Sequence, residues 1–414
     1  MIRGFMKTSS RTAMIVAAGM LMGAYAYGPA NAADLGGGCC ADLEERVAEL
    51  EATTARKGNR VVSLQVYGQV NKALMYWDDG VESDTYVVDN ALSSSRFGFV
   101  GKGKMKPGWI AGYRMEFEIQ DALSNSVTQS SDENAVESTV NAPTDGLLTL
   151  RHNYLYVESV RLGRFSIGHQ SSAADGAHEV VLANSMRTGA PDIGDNLSIR
   201  DKSGGAADDG VLSNWAGDLD SGRNDLIRYD TPSIYGFILS ASWGDDDYAD
   251  VALRFKKEFN SIRIAAAVAY QWDGQADNTD FETIGGSISI MHVPTGLYAA
   301  FAAAERDSEV AATADVSFWY VQAGIERKWL PYGTTTLYGE YGNYDDFAIQ
   351  AGVLSNATSS QTTRWGFGFN QKFDSVAMDV YAHATFWDFD YTSSSEDGLQ
   401  EGLTTVLVGS RIQF

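Results

Sequence analysis

The chain has 414 residues, with 54 acidic against 31 basic side chains and a formal net charge of −23, and it is rich in Gly (42), Tyr (20) and Phe (18) but holds only 7 Pro. That charge argues against nucleic acid or anionic lipid headgroups as partners. A soluble core of this length would divide into domains, yet no linker-like boundary follows residue 60; many short strands closed into one large barrel would escape that limit.

The N-terminus reads as a targeting signal. Arg3, Lys7 and Arg11 precede an apolar run from Ala13 to Tyr27, and Ala30-Asn31-Ala32 supplies a small-x-small cleavage pattern, so residues 1–32 are expected to be a signal peptide. The run is short of the ~20 residues a spanning helix needs, and no comparable run follows. Without the leader's three basic residues the formal charge falls from −23 to −26. Residues 33–60 are expected to form a short periplasmic segment. Within it Leu43, Val47, Leu50 and Thr54 are spaced 4, 3 and 4, about two heptads of a coiled-coil seam. A helix of that length is marginal alone, so either three copies associate or one amphipathic helix lies under its own barrel. Cys39 and Cys40 stand just before it, in an oxidising compartment where disulfides between chains are possible.

From Arg60 to Phe414 sixteen segments alternate in polarity: 61–77, 92–104, 108–120, 148–159, 162–170, 224–231, 235–244, 249–259, 261–272, 281–292, 296–305, 315–329, 333–344, 361–373, 375–388 and 402–414. Joins after even-numbered segments are tight and contain Pro107, Pro232, Pro294 and Pro331. Most joins after odd-numbered segments are long and polar, such as 78–91, 121–147, 171–223, 345–360 and 389–401. Short turns at one end and long loops at the other predict an all-β, sixteen-stranded antiparallel transmembrane barrel over 61–414 rather than a sandwich or propeller.

The faces can be assigned by parity. Over 375–388, Val376, Met378, Val380, Ala382, Ala384 and Phe386 alternate with Asp379, Tyr381, His383 and Thr385; over 361–373, Trp365, Phe367, Phe369 and Phe373 alternate with Arg364, Asn370 and Lys372. In the final strand Val406, Val408, Ile412 and Phe414 oppose Thr405, Gly409, Arg411 and Gln413. A charge facing lipid costs roughly 2–4 kcal/mol, so the polar set belongs to a watery interior. Trp77, Trp243, Trp272 and Trp387 at the loop ends, with Trp109 and Trp329 at the turn ends, are expected to form two aromatic girdles.

Two segments resemble general outer-membrane porins: Asp225-Leu-Ile-Arg-Tyr-Asp-Thr-Pro-Ser-Ile-Tyr-Gly-Phe237 is similar to their R-Y-x-S/T-P-x-x-x-G-F motif, and Gly163-Arg-Phe-Ser-Ile-Gly-His169 to the strand leading into their constriction loop. The stretch from Cys40 to Asn59 is similar to a porin subfamily of alphaproteobacteria. The resemblance implies a homotrimer in the outer membrane of a Gram-negative bacterium, among lipid and lipopolysaccharide, passing small hydrophilic solutes by passive diffusion. A terminal aromatic such as Phe414 resembles the signal read by barrel-assembly machinery. The join 171–223, the longest, carries nine acidic residues against four basic ones and is expected to fold into the lumen as the constriction loop. Asp192, Asp195 and Asp201 are the candidate acidic side; Asp192 and Asp195 flank a turn at Pro191 and Gly194, whereas the Gly-rich 203–210 suits a tip. Arg96, Arg114, Arg151, Arg228, Arg254 and Arg411 fall at lumen-facing positions, and the resemblance implies that such arginines face the carboxylates, with a weak cation preference as the expected outcome.

Other chemistries fare worse. Of His152, His169, His178, His292 and His383, only His169 lies beside a hydroxyl, at Ser171, and His169-Gln170-Ser171 on a strand makes a poor dyad, so a barrel hydrolase is disfavoured. Asp208-Asp209 and Asp245-Asp246-Asp247 lack Ca²⁺-loop spacing and read as solvated carboxylates; no cofactor or metal is expected. A structural tether docking the coiled coil on peptidoglycan can coexist with a pore.

Overall fold

The computed structural model describes residues 61–119, 121–129, 148–185, 189–200, 210–245, 247–275, 279–308, 314–354, 357–393 and 397–414. The leader, Cys39, Cys40, the stripe of Leu43, Val47 and Leu50, Asp201 and most of the Gly-rich stretch lie outside them.

Sixteen strands run in order around one closed antiparallel barrel. They are β1 (Gln65–Asp78), β2 in two pieces (Ser83–Asp89 and Arg96–Lys106), β3 (Trp109–Ile119), β4 (Leu148–Ser159), β5 (Gly163–Ser171), β6 (Arg223–Asp230), β7 (Phe237–Gly244) and β8 (Ala249–Phe259). The second half comprises β9 (Ile262–Gln275), β10 (Thr279–His292), β11 (Leu297–Ser308), β12 (Val316–Leu330), β13 (Gly333–Asp345), β14 (Ala357–Phe373), β15 (Met378–Ser393) and β16, again in two pieces (Asp397–Leu399 and Leu403–Gln413). Among the described residues one short α-helix, α1 (Phe347–Gln350), follows β13.

Closure is made by β16 on β1, in register from Val70 opposite Ile412 to Trp77 opposite Thr405. Phe414 extends the seam by one residue: its N–H donates to the Gly68 carbonyl and the Gly68 N–H returns the bond, both at 3.0 Å. The first and last strands therefore leave no open edge between them.

The period-2 reading of the faces is realised. In β1, Val70 and Leu74 are exposed at 50% and 37% while Asn71, Ala73 and Met75 are buried; in β14, Trp365 and Phe367 are exposed and Arg364 and Asn370 are buried. No helix among the described residues is long and apolar enough to cross a membrane, so the strands do the crossing, their outward apolar band meeting lipid.

Two expectations need correcting. The joins 78–91 and 389–401 are largely strand: Ser83–Asp89 pairs with β1, and Asp397–Leu399 with the end of β15. Backbone pairing continues past the membrane, where no apolar alternation is required and sequence patterning loses its signal. Trp77 and Trp387 do not belong to a lipid girdle, for both are buried at 1% and 2% inside the barrel. Their parity is that of Asn71 and Asp379, the watery face; Trp243, Trp272 and Trp329 do point outward.

Candidate functional site

The described parts of the join after β5, residues 172–185, 189–200 and 210–222, lie within the barrel, and inward-facing side chains hold them there. Arg228 on β6 donates from Nη1 to the carbonyls of Ser171 (3.1 Å) and Ser172 (2.6 Å), and Arg254 on β8 donates to the Asp175 carbonyl at 2.7 Å. Further on, the loop behaves like an added strand. The N–H groups of Val180, Leu182 and Asn184 donate in turn to Ser287 Oγ (2.9 Å), Ser289 Oγ (3.1 Å) and Glu326 Oε2 (2.7 Å). Alternate amides meet alternate wall side chains, so the extended backbone satisfies its polar groups away from bulk water.

Contact here is close enough to require glycine. A Cβ on Gly285 of β10 would lie 2.5 Å from His178 Nε2, and one on Gly189 of the loop 2.6 Å from Gln322 Nε2. Gln322 also donates to the Gly189 carbonyl at 3.0 Å.

The next turn is gripped by Arg364 on β14, which is 2% exposed. Its Nη1 donates to the Asp192 carbonyl (3.1 Å) while Nε and Nη2 reach Glu340 Oε1 at 3.0 and 2.6 Å. Glu340 also pairs with His383 Nε2 at 3.1 Å and accepts from Tyr320 Oη at 2.6 Å. The far end of the loop is clasped at the barrel's long-loop end: Arg200 Nε meets Asp79 at 2.8 Å, and Gln129 bonds both the N–H and the carbonyl of Ser198.

Three carboxylates converge on the loop. Glu179, Asp192 and Asp218 each place an oxygen within 4.8 Å of the others, and all three residues are half-buried. Burial, then the charge of Asp218, pushes the Asp192 carboxyl up to about 7; burial and the charges of Asp218, Asp220 and Asp192 raise Glu179 well above the usual carboxylate range. A donor set of this kind can hold a divalent cation or can simply concentrate negative charge. Asp195 is placed elsewhere. Its carboxyl is raised by burial and bonds Thr405 of the wall, beside a cavity of about 30 Å³ that Arg364, His383, Trp387 and also Asp192 line.

The wall of β2–β4 carries a separate basic cluster. Glu116, 1% exposed, receives Arg114 Nη2 (2.6 Å), Arg151 Nε (3.1 Å) and Tyr67 Oη (2.7 Å), with Arg96 at 3.8 Å. Arg151 reaches Glu118 as well, at 2.9 Å. A β-bulge sits opposite Glu116 and Phe117; it directs both Arg151 and the buried His152 inward, which strict alternation forbids.

The six arginines picked by parity therefore divide. Arg96, Arg114 and Arg151 cluster on the wall, Arg228 and Arg254 hold the start of the loop, and Arg411 pairs with Asp379 at 2.6 Å. Sequence reasoning passed over Glu116, Glu340 and Arg364 as site residues. All three have inward parity, and that signal alone could have found Arg364.

The sequence profile described as Gram-negative porin matches residues 16–392. No curated protein matches the chain in sequence. Among solved structures, the anion-selective porin from Comamonas acidovorans superposes with a TM-score of 0.55 at 17% identity, covering 85% of this chain and 100% of its own. The trimer form of OmpT, an outer membrane protein of Vibrio cholerae, gives 0.55 at 15%, over 86% and 100%. The outer membrane channel DcaP of Acinetobacter baumannii gives 0.52 at 14%, over 86% and 99%. At these identities the likeness is one of fold.

Proposed function

The chain belongs to the Gram-negative porin family, and on that premise we propose that its constriction lies between the loop carboxylates Glu179, Asp192 and Asp218 and the wall arginines Arg96, Arg114 and Arg151. The protein is an outer-membrane porin, a water-filled channel for passive diffusion of small hydrophilic solutes and ions. The observation that carries the proposed constriction is the meeting of three carboxylates on a loop whose backbone is bonded to the inner wall. Opposite charges on two sides of a narrow, low-dielectric passage create a transverse field that orients polar solutes and hinders apolar ones.

The wall cluster is largely neutralised by Glu116 and Glu118, so the loop's surplus of acid gives a weak cation preference. Replacing Asp192 and Asp218 together with Asn should move the zero-current potential in a salt gradient toward anions. An unchanged potential and conductance would remove these carboxylates from the constriction. Asp195 and Asp201, proposed from sequence for the same side, serve as comparison variants, Asp195 because its carboxyl bonds Thr405 of the wall and is not one of the three clustered carboxylates.

The full chain is read as a signal peptide ending at Ala32, a periplasmic coiled-coil segment over 33–60 of the kind found in an alphaproteobacterial subfamily, and the barrel. A relative solved in trimer form and the 4-3-4 stripe of Leu43, Val47 and Leu50 support a homotrimer stapled below the membrane. The same stripe leaves open a second role in docking on peptidoglycan, which pull-down with cell wall, with and without residues 40–58, would test. Phe414, on the closing seam, is the residue assigned to recognition by the assembly machinery, and the outward strand faces meet lipid and lipopolysaccharide.

A further inference from the structure

A water-filled lumen should be lined by polar groups, yet the long-loop end of this barrel encloses an apolar core. The loop contributes Leu197, Ile199, Leu212, Trp215 and Leu219, all at most 6% exposed. Trp215, at its centre, packs edge-on against Phe389 of β15 with ring centroids 5.5 Å apart. The wall answers with inward aromatics: Trp77, Tyr86, Phe318, Tyr344 and Trp387. Two other joins close over the same core, α1 through Phe347 and Ala348, and the segment after β3 through Val127. The wall residues of the core come from seven strands, all but β14 of an eight-strand arc running from β11 through β16 to β1 and β2. Among the described residues, none comes from β3 to β10.

The lobe is also pinned at its rim. Arg200 bridges Asp79 (2.8 Å) and Glu82 (3.7 Å), Gln129 bonds Ser198 twice, and the Glu401 N–H donates to the Arg200 carbonyl at 2.8 Å. Contacts thus reach the lobe from four joins. An apolar core at native packing density admits neither water nor ions.

We propose that the lobe around Trp215 closes the β11–β2 half of the mouth to solutes, so that the aqueous path is confined to the opposite half, along β3–β6, and Trp215 and Phe347 set the size limit. The path then descends beside Arg96, Arg114 and Arg151 rather than along the barrel axis, and it meets the loop from one side only. This deepens the pore reading without depending on which carboxylates face the eyelet.

Thiol accessibility tests it in the full-length porin, with Cys39 and Cys40 changed to Ser and the protein reconstituted in planar bilayers. Ala348→Cys and Ala216→Cys are small changes within the closed half; Tyr154→Cys lies on the β4 wall. A membrane-impermeant, charged thiol reagent should modify Tyr154→Cys rapidly, with a step in single-channel current. The two core cysteines should react on the order of 100-fold more slowly, because reaction there waits for local opening. Comparable rates at all three positions would overturn the proposal. As a second measurement, Trp215→Ala with Phe347→Ala should raise conductance by up to about twofold, since the closed arc is half the wall of a channel otherwise wide enough for water. An unchanged conductance in a variant that keeps wild-type heat resistance would also count against it. The carboxylate variants can fail while these results stand, and the reverse.

Discussion

Arg364 joins the wall to the loop, and Arg364→Ala measures what that junction contributes. On the wall side the substitution leaves Glu340 buried with only His383 and Tyr320; removing one partner of a buried pair costs about 3–5 kcal/mol. Water can reach a porin lumen and replace part of the guanidinium's hydrogen bonding, which favours the lower end of that range. On the loop side one good charge-assisted bond is lost, Nη1 to the Asp192 carbonyl at 3.1 Å, with a weaker one to the Pro191 carbonyl at 3.5 Å. Such a bond contributes about 1.5–3 kcal/mol, and at 1.4 kcal/mol per tenfold the docked state of residues 189–195 weakens roughly 10- to 100-fold. Strand pairing of β14 runs from Gln361 to Gln371 against β13 and from Ala357 to Phe373 against β15, and does not involve the side chain, so the barrel should assemble normally. The expected result is faster amide exchange confined to 189–195, together with larger current noise in single channels. Arg364→Lys keeps the charge but not the planar fork, and should fall between wild type and Ala. Exchange and noise indistinguishable from wild type in Arg364→Ala would show that the wall does not hold the loop through this residue.

The carboxylate cluster predicts a pH dependence of definite sign. Asp192 is raised to about 7, so the loop is least charged in acid; cation preference should increase as pH rises through about 7, and reversal potentials from pH 5 to 8 would reveal a flat profile if the group does not face the pore. Because the docked state holds these protons more tightly than a free loop, docking is strongest below the ordinary carboxylate range and weakens as pH climbs toward 7. Asp79 has the opposite sign: burial opposes its ionisation, but Arg200 and the N–H groups of Glu82 and Val81 outweigh that and lower it, so the rim clasp is retained at neutral pH and lost in acid, readable as exchange at 198–200. Deleting Phe414 removes two backbone hydrogen bonds from the seam and should reduce insertion into the outer membrane, scored as heat-resistant barrel in membrane fractions. Replacing Leu43, Val47 and Leu50 with Ser should lower trimer heat resistance on gels, and unchanged resistance would favour a lone helix under each barrel.

Much of this architecture was legible in the residues. Alternation with a period of two, broken by tight turns at one end and long joins at the other, dictates strand number, topology and which face meets lipid, because lipid penalises every misplaced charge such as Arg364 or Arg411. Parity also assigned Arg96, Arg114 and Arg228 to the lumen. Where lipid does not reach, the signal ends: the strand pieces at Ser83–Asp89 and Asp397–Leu399 looked like loop, and Trp77 and Trp387 looked like girdle. A watery interior accepts polar and apolar side chains alike, so composition there carries no instruction about contact. Only the tertiary structure decided that Arg228 and Arg254 hold a loop while Arg96, Arg114 and Arg151 share Glu116, that a bulge turns Arg151 inward, that Asp195 faces the wall, and that Asp192 meets Glu179 and Asp218. Those outcomes depend on where a join of some fifty residues folds back, through bonds between positions more than a hundred residues apart such as Val180 to Ser287, and no local pattern encodes them.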